Sequence, residues 1–327
     1  MQKETIIITV TYWNRWHLLS KVLLSIIKYQ KYVKKIIIID NGSITWSESK
    51  KILSKYKDHI IYFRSETNKG AAWWFKKWIE MANDYENYNF LYLLDDDNIP
   101  ERQAITKLIQ NYCKKKKKGK DICLFSRKTK AVEHTERENF INHPNILSFN
   151  NNYLFFNVIY IFSLFYWKLF TKKTKSSIYE IDYWPYWWMF LDKETVLNIW
   201  LPDESYFLYI DDIEYSNRIK KNKWNLYQVC DSIIFDIDTS FKGKFLWYIL
   251  YKKNPNLDFR YYYLLRNLAF YQKNKTTNKT IYYINKIIFL LIVSSIWIIF
   301  LKFKNLRLFF LAIKDGEKWV RGKSFRN

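Results

Sequence analysis

The strongest constraint on the fold is a repeated pattern in the first hundred residues: four short apolar runs, each ending on polar residues, with helix-capable stretches among them. Residues 5–11, 35–40, 60–63 and 90–94 read as strands. The second contains Ile36, Ile37, Ile38 and Ile39 without a polar residue, as expected for a strand covered on both faces of a parallel sheet. Residues 18–29 place apolar side chains at 18, 19, 22, 23, 26 and 27, and residues 71–82 also read as a helix. Alternating strands and helices give a parallel sheet with helices on both faces. Ligands of such sheets bind at the carboxyl ends of the strands, so Thr11, Asp40, Asn41 and Asp95 to Asp97 are expected along one rim.

Composition narrows the chemistry. Hydrophobic residues make up 49% and aromatics 20% of the 327 residues, enough to build a core despite a formal charge of +23. Only six glycines occur, none with dinucleotide-fingerprint or phosphate-loop spacing, which excludes both of those motifs. Three cysteines form no C-x-x-C pair and four histidines no H-E-x-x-H, so neither a disulfide framework nor a zinc site is legible, and a reducing compartment is expected. The N-terminus lacks the long apolar stretch and cleavage site of a secretory signal, so the bulk of the chain is expected to face the cytosol. A coding bias toward A and T accounts for the positive charge as readily as an anionic partner does. The five lysines at 114–118 read as a solvated helix end. Nucleic-acid binding is not expected, because the aromatics follow the strands and do not interleave with the basic run.

Two acidic clusters carry the chemistry. Asp95, Asp96 and Asp97 directly follow the buried run 90–94. Alternate residues of an extended segment point the same way, so Asp95 and Asp97 can reach one ion while Asp96 faces elsewhere. Oxygen-only ligation suits Mg²⁺ or Mn²⁺ shared with phosphate oxygens. The simpler reading is an acidic turn capping the next helix. The second cluster, Asp211, Asp212 and Glu214, enters a helix, where a carboxylate serves either as a cap or as a general base.

Taken together, these residues resemble the family-two inverting glycosyltransferases of the GT-A fold, nearest to the galactofuranosyltransferase and rhamnosyltransferase branch. The resemblance runs through Val10 to Arg15, Ile37 to Ser43, Asn68 to Ala72, Leu94 to Pro100, Trp187 to Phe190, Leu201 to Glu204, Asp211 to Arg218 and Tyr261 to Asn267. It implies a catalytic domain over residues 1–270, with a hydrophobic insertion or lid at 150–180. It also implies transfer of a sugar from a nucleotide-diphosphate donor with inversion. Asp95 and Asp97 would hold Mn²⁺ or Mg²⁺, with Asp236 a further candidate ligand. Thr11, Arg15, Asp40, Asn68, Gly70 and Asp96 would line the donor site. Asp212 would be the base, with Asp211 or Glu214 orienting it or the acceptor. Trp187 and Trp188 would form an acceptor wall, packing sugar C–H faces, or belong to the core. The branch often carries a histidine ligand on the strand after the second cluster; residues 233–238 have none, leaving Asp236 or Asp238 in its place or no third ligand. A catalytically silent binding module on the same fold and a two-carboxylate glycosidase are the competing readings.

Residues 271–327 are expected to form a basic, apolar helical region. Residues 287–301 are apolar except for Ser294 and Ser295, short of the roughly 20 residues a spanning helix needs. Lys302, Lys304, Arg307 and the later basic residues suit an anionic leaflet, whether the helix lies in the interface, spans, or packs on the catalytic domain. The expected partners are a nucleotide-sugar donor, a lipid-linked or polysaccharide acceptor and an anionic membrane surface, at the cytoplasmic face of the cell membrane.

Overall fold

In the computed structural model, the described residues are 5–11, 15–29, 31–44, 47–84, 88–116, 122–128, 151–154, 156–159, 177–181, 186, 188–222, 224–238, 255–299 and 303–325. The first half follows the strand–helix alternation: β1 (Thr5–Thr11), α1 (Trp16–Tyr29), β2 (Val33–Asp40), α2 (Ser47–Lys55), β3 (Ile60–Arg64), α3 (Ala71–Asn83), β4 (Phe90–Asp95), β5 (Asn98–Pro100), α4 (Ala104–Lys116) and β6 (Ile122–Lys128). Then come β7 (Ile178–Ile181), β8 (Met189–Asp192), α5 (Lys193–Asn198), α6 (Asp211–Lys221) and β9 (Asn225–Asp236).

Among the described residues, nine strands join one sheet in the order β3-β2-β1-β4-β8-β6-β9-β5, with β7 also paired to β9. The first four are parallel. β8 then runs antiparallel to both β4 and β6, which turns the sheet mixed. The isoleucine run of β2 and residues 90–94 of β4 are buried, as their unbroken apolarity requires. Helices α1 and α3 place Leu19, Val22, Leu23 and Ile26, and Ala72, Trp74, Trp78 and Ile79, in the core.

Contacts divide the chain into two units. The first comprises Met1–Glu133, Lys175–Glu204 and Asp211–Ser240 and holds the whole sheet; the second comprises His134–Thr174, Ser205–Ile210 and Phe241–Asn327. Three helices dominate the second: α7 (Pro255–Lys275), α8 (Lys279–Ile299) and α9 (Phe303–Glu317). Helices α7 and α9 approach closely at Gly316, where a Cβ would sit 2.2 Å from the carbonyl oxygen of Arg266. Phe270 and Trp319 stack nearby, with centroids 3.5 Å apart.

The start of the expected insertion belongs to this helical unit. Asn151 Oδ1 accepts from the backbone N–H groups of Thr277 and Asn278 and from the hydroxyls of Thr276 and Thr277, securing the turn between α7 and α8. Asn285 donates to Asn151 O and accepts from Val158 N, each at 2.9 Å. Residues 160–176 lie outside the described residues. Helix α8 is the one helix among the described residues that is long and apolar enough to cross a membrane, with a mean hydropathy of 1.9. It is two-faced: Tyr282, Asn285, Phe289, Val293 and Trp297 are buried, whereas Tyr283, Ile284, Ile287, Leu291 and Ile298 are exposed.

Candidate active site

Strand register builds the rim. Thr11 pairs with Asp40, Asp40 with Arg64, and Val10 with Asp95. Four adjacent parallel strands therefore end in one row, and at the usual inter-strand spacing Asp40 and Asp95, two strands apart, are separated by roughly 10 Å. Nothing beyond this backbone pairing is described for Thr11.

Asp40 is buried and firmly held. Its Oδ1 accepts from Ser43 N at 2.8 Å, its Oδ2 accepts from the Tyr62 hydroxyl at 2.9 Å, and Arg64 Nε lies 3.6 Å from Oδ2. Burial and the charge of Asp40 hold Tyr62 protonated far above the ordinary phenol range. The turn after Asp40 needs a glycine: Gly42 has φ 79°, and a Cβ there would lie 3.1 Å from Thr67 C. That close approach brings in the third loop. Asn68 Oδ1 accepts from Asn41 Nδ2 and from Gly70 N, while Lys69 N donates to Asn41 Oδ1, so Asn41, Asn68 and Gly70 form one bonded set leading into α3.

At the end of β4, ligand atoms of Asp95, Asp96 and Asp97 all lie within 4.8 Å of one another. Arg15, directly before α1, is their shared cation. It lies 2.7 Å from Asp97 Oδ2 through Nη2 and 3.2 Å from Asp96 Oδ1 through Nη1. The same Nη2 lies 3.0 Å from Asp238 Oδ2, just past β9. Asp236 pairs in the sheet with Asn98, and its Oδ1 accepts from Asp238 N at 3.1 Å. Asp238, a sequence alternative to Asp236 as the further ligand, thus shares Arg15 with Asp97.

Like charge shows in the titration of these groups. Burial, then the charge of Asp97, pushes the Asp95 carboxyl up to about 7, with Arg15 opposing. Asp97 is raised by burial, again against Arg15. Burial lowers the pKa of Arg15, but the charges of Asp96, Asp97 and Asp95 outweigh it and hold the guanidinium above its ordinary value. Several carboxylates sharing one guanidinium, with oxygen-only donors, fit a hard divalent cation.

The second cluster stands at the first turn of α6. Asp211 is 2% exposed and Asp212 8%. Asp212 Oδ1 accepts from Ile213 N at 2.8 Å. Asp211 Oδ2 is buried without a hydrogen-bond partner among the described residues, and burial, then the charge of Asp212, raises its pKa well above the carboxylate range. Glu214 is engaged along the helix instead. Its Oε2 accepts from Arg218 Nε at 2.9 Å, and Arg218 also donates to the carbonyls of Trp200 and Leu201. Both clusters lie in the sheet-bearing unit.

Trp188 is 5% exposed, adopts φ 81°, and donates its indole N–H to Asn98 Oδ1, one residue beyond Asp97. Its backbone N–H donates to Leu93 O at 2.8 Å. Trp188 therefore braces the turn that carries the first cluster. Trp187 lies outside the described residues. The sequence points Arg15 toward the donor and does not show it as counter-ion to the acids; only the bare charge of residues 95–97 hints at the need. The Tyr62 hydroxyl on Asp40 carries no sequence signal.

The profile of Glycosyl transferase family 2 matches residues 6–176, more than half of the chain. No curated protein sequence matches the chain. Many solved structures are similar, and two of them at low identity are the following. A structure of GalNAc-T7 with UDP, GalNAc and Mn²⁺ aligns at TM-score 0.53 and 14% identity, covering 80% of this chain and 48% of that one. The mannosyltransferase PcManGT from Pyrobaculum calidifontis, in complex with GDP-Man and Mn²⁺, aligns at TM-score 0.51 and 12% identity, covering 81% of this chain and 64% of that one. The chain thus spans less than two thirds of the length of either. The fold is the GT-A fold, and from the matched span together with the rim it builds, the chain belongs to glycosyl transferase family 2.

Proposed function

We propose that this chain transfers a sugar, with inversion, from a nucleotide-diphosphate donor to a lipid-linked or cell-surface polysaccharide acceptor. The observation that carries the reading is the row Arg64, Asp40, Thr11 and Asp95 at the ends of four parallel strands, with Asp96 and Asp97 clustered at its end. A nucleoside would lie toward Asp40, near the set formed by Asn41, Asn68 and Gly70, and the diphosphate toward Asp95–Asp97 and Arg15. Asp95 and Asp97 would hold Mn²⁺ or Mg²⁺, with Asp236 or Asp238 completing the set. The ion supplies positive charge for the departing diphosphate. Mn²⁺ together with a nucleotide in both similar structures supports this assignment.

In the proposed reaction the acceptor oxygen bonds to the anomeric carbon as the carbon–diphosphate bond breaks, and the hydroxyl proton passes to Asp212. Asp212 is assigned as the base because it is less buried than Asp211, whose pKa burial and the charge of its neighbour raise well above the carboxylate range. Asp211 or Glu214 orients the base or the acceptor, and Trp187 is assigned to the acceptor side, whereas Trp188 is buried against Asn98 and supports the turn of the first cluster. Inversion needs one displacement and no covalent nucleophile. An activated galactofuranose, rhamnose or similar sugar is the proposed donor class.

We assign catalysis to residues 1–270 and membrane association to 271–327, at the cytoplasmic face. The exposed stripe of Tyr283, Ile284, Ile287, Leu291 and Ile298, with Arg307, Lys314 and Lys318 exposed on or just after α9, suits a helix lying in an anionic interface. A thermal-shift screen of nucleotide sugars with Mn²⁺, followed by metal-stimulated nucleoside-diphosphate release, tests the reading. Stabilisation by at least one nucleotide sugar, abolished in Asp95→Ala, supports it. No stabilisation and no release with any donor, acceptor present, would reject it in favour of a silent binding module.

A further inference from the structure

The loop Ser205–Ile210 ends on the peptide bond to Asp211. Phe207, Tyr209 and Ile210 take φ of 65°, 67° and 68°, so half of the six non-glycine residues with positive φ among the described residues fall within four positions. For Ile210, branched at Cβ, that conformation is an outlier. Conformations of this kind persist only where the surroundings over-determine them, and they gather where function needs a fixed geometry.

Two adjacent residues of α7 supply the restraint. Arg266 Nη2 donates to Tyr206 O at 2.7 Å. Asn267 Nδ2 reaches the carbonyls of Tyr206, Leu208 and Tyr209 at 2.9, 2.7 and 2.9 Å, so its two hydrogens are shared among three acceptors. Arg266 Nε donates to Asn267 Oδ1 at 2.8 Å, which points the Asn267 amino group at the loop. Arg266 Nη1 is anchored in turn on Gly322 O and Ser324 Oγ, and Gly322 N donates back to Ser205 O. Both side chains are 0% exposed. Burying a guanidinium and an amide in a helix whose neighbours pack with tyrosine and leucine is costly unless each donor is matched; here Arg266 Nη2 and Asn267 Nδ2 are matched to the loop, and the remaining Arg266 donors to Asn267, Gly322 and Ser324.

We propose that Arg266 and Asn267 are positioning residues for the reaction: they fix the left-handed backbone at Phe207, Tyr209 and Ile210, and so restrain the stretch of chain that leads directly into Asp211 and Asp212. The kinetic consequence rests on the transferase reading; the restraint on the loop does not. Proton transfer depends on carboxylate placement at the ångström level, so a loosened loop lowers turnover without touching the donor rim.

The test is Asn267→Asp in the full chain, a near-isosteric change that removes the donors. Hydrogen exchange over residues 205–213 is expected to accelerate at least tenfold while β4 stays unchanged. Nucleoside-diphosphate release, measured with the nucleotide sugar that stabilises wild type most, is expected to lose about 100-fold in kcat. KM for that donor and Mn²⁺-dependent UDP affinity are expected to stay within twofold. Wild-type exchange in 205–213, or kcat and UDP affinity falling together, overturns the proposal. So does unchanged kcat with a loosened loop. If wild type itself neither binds UDP with Mn²⁺ nor turns over any donor, the transferase reading fails, and with it the kinetic half of the proposal; the exchange result still decides the restraint. Should Asn267→Asp fail to fold, Ser324→Ala removes one acceptor of Arg266, and exchange in 205–213 is expected to rise about threefold; no rise overturns the restraint.

Discussion

Asp95–Asp97 and Asp211–Glu214 are acidic clusters of one sheet-bearing unit that handle like charge differently. The first shares a cation: Arg15 spans Asp96, Asp97 and Asp238, and Asp95 sits only part-way up its titration range, near 7. The second is split. Glu214 is paired with Arg218, Asp212 accepts from the helix backbone, and Asp211 keeps a buried oxygen without a hydrogen bond among the described residues, its pKa raised by burial and by the charge of Asp212. A cluster whose carboxylates outnumber their one guanidinium is suited to a further cation. A cluster at a helix N-terminus in which burial raises the proton affinity of one acid is suited to take up a proton.

The sharpest way to break this comparison is to show that the two clusters do the same job. Asp212→Asn is expected to reduce transfer roughly 10³-fold, the scale of general-base catalysis, with donor affinity within twofold by calorimetry. Parallel loss of donor affinity would merge the clusters. Asp97→Ala is expected to weaken Mn²⁺-dependent nucleoside-diphosphate binding roughly 100-fold, the upper range for loss of support at a metal site. Metal-independent binding of unchanged strength would remove the cation site from the first cluster.

Arg15→Gln sharpens the counter-ion reading. Removing the guanidinium leaves buried carboxylates uncompensated, so the metal-free protein is expected to melt roughly 5 °C lower by calorimetry. Mn²⁺ should recover more of that loss than it adds to wild type. The smallest expected effect concerns Asp211. Its folded-state pKa is raised, so the folded chain holds a proton that the unfolded chain releases. The stabilising contribution is therefore present below the unfolded value of about 4 and is lost as pH rises toward the folded pKa. In metal-free protein, Asp211→Asn is expected to flatten the fall of melting temperature as pH rises above about 4, relative to wild type.

The sequence made the rim readable because parallel strands buried on both faces leave long apolar runs and must end on polar residues. Asp40 and Asp95 could be placed from that pattern alone, before any register was known. Arg15 could not be placed as the counter-ion, because its partners come from the end of β4 and from beyond β9, 82 and 223 residues away. The antiparallel insertion of β8 between β4 and β6 was equally hidden: Met189–Asp192 is four buried residues with no alternation to show a direction. Tyr261 to Asn267 stood out as a motif, yet its bonds to the carbonyls of 206, 208 and 209 depend on backbone conformations that local residue types do not favour.

The most direct measurement is the anomalous difference density of a crystal soaked with Mn²⁺ and a nucleoside diphosphate. The expected result is one manganese peak bridging Asp95 or Asp97 to the diphosphate, with Arg15 turned from the acids toward phosphate. A peak at Asp211 and Asp212, or nucleotide bound on the rim with no metal beside residues 95–97, would contradict the assignment.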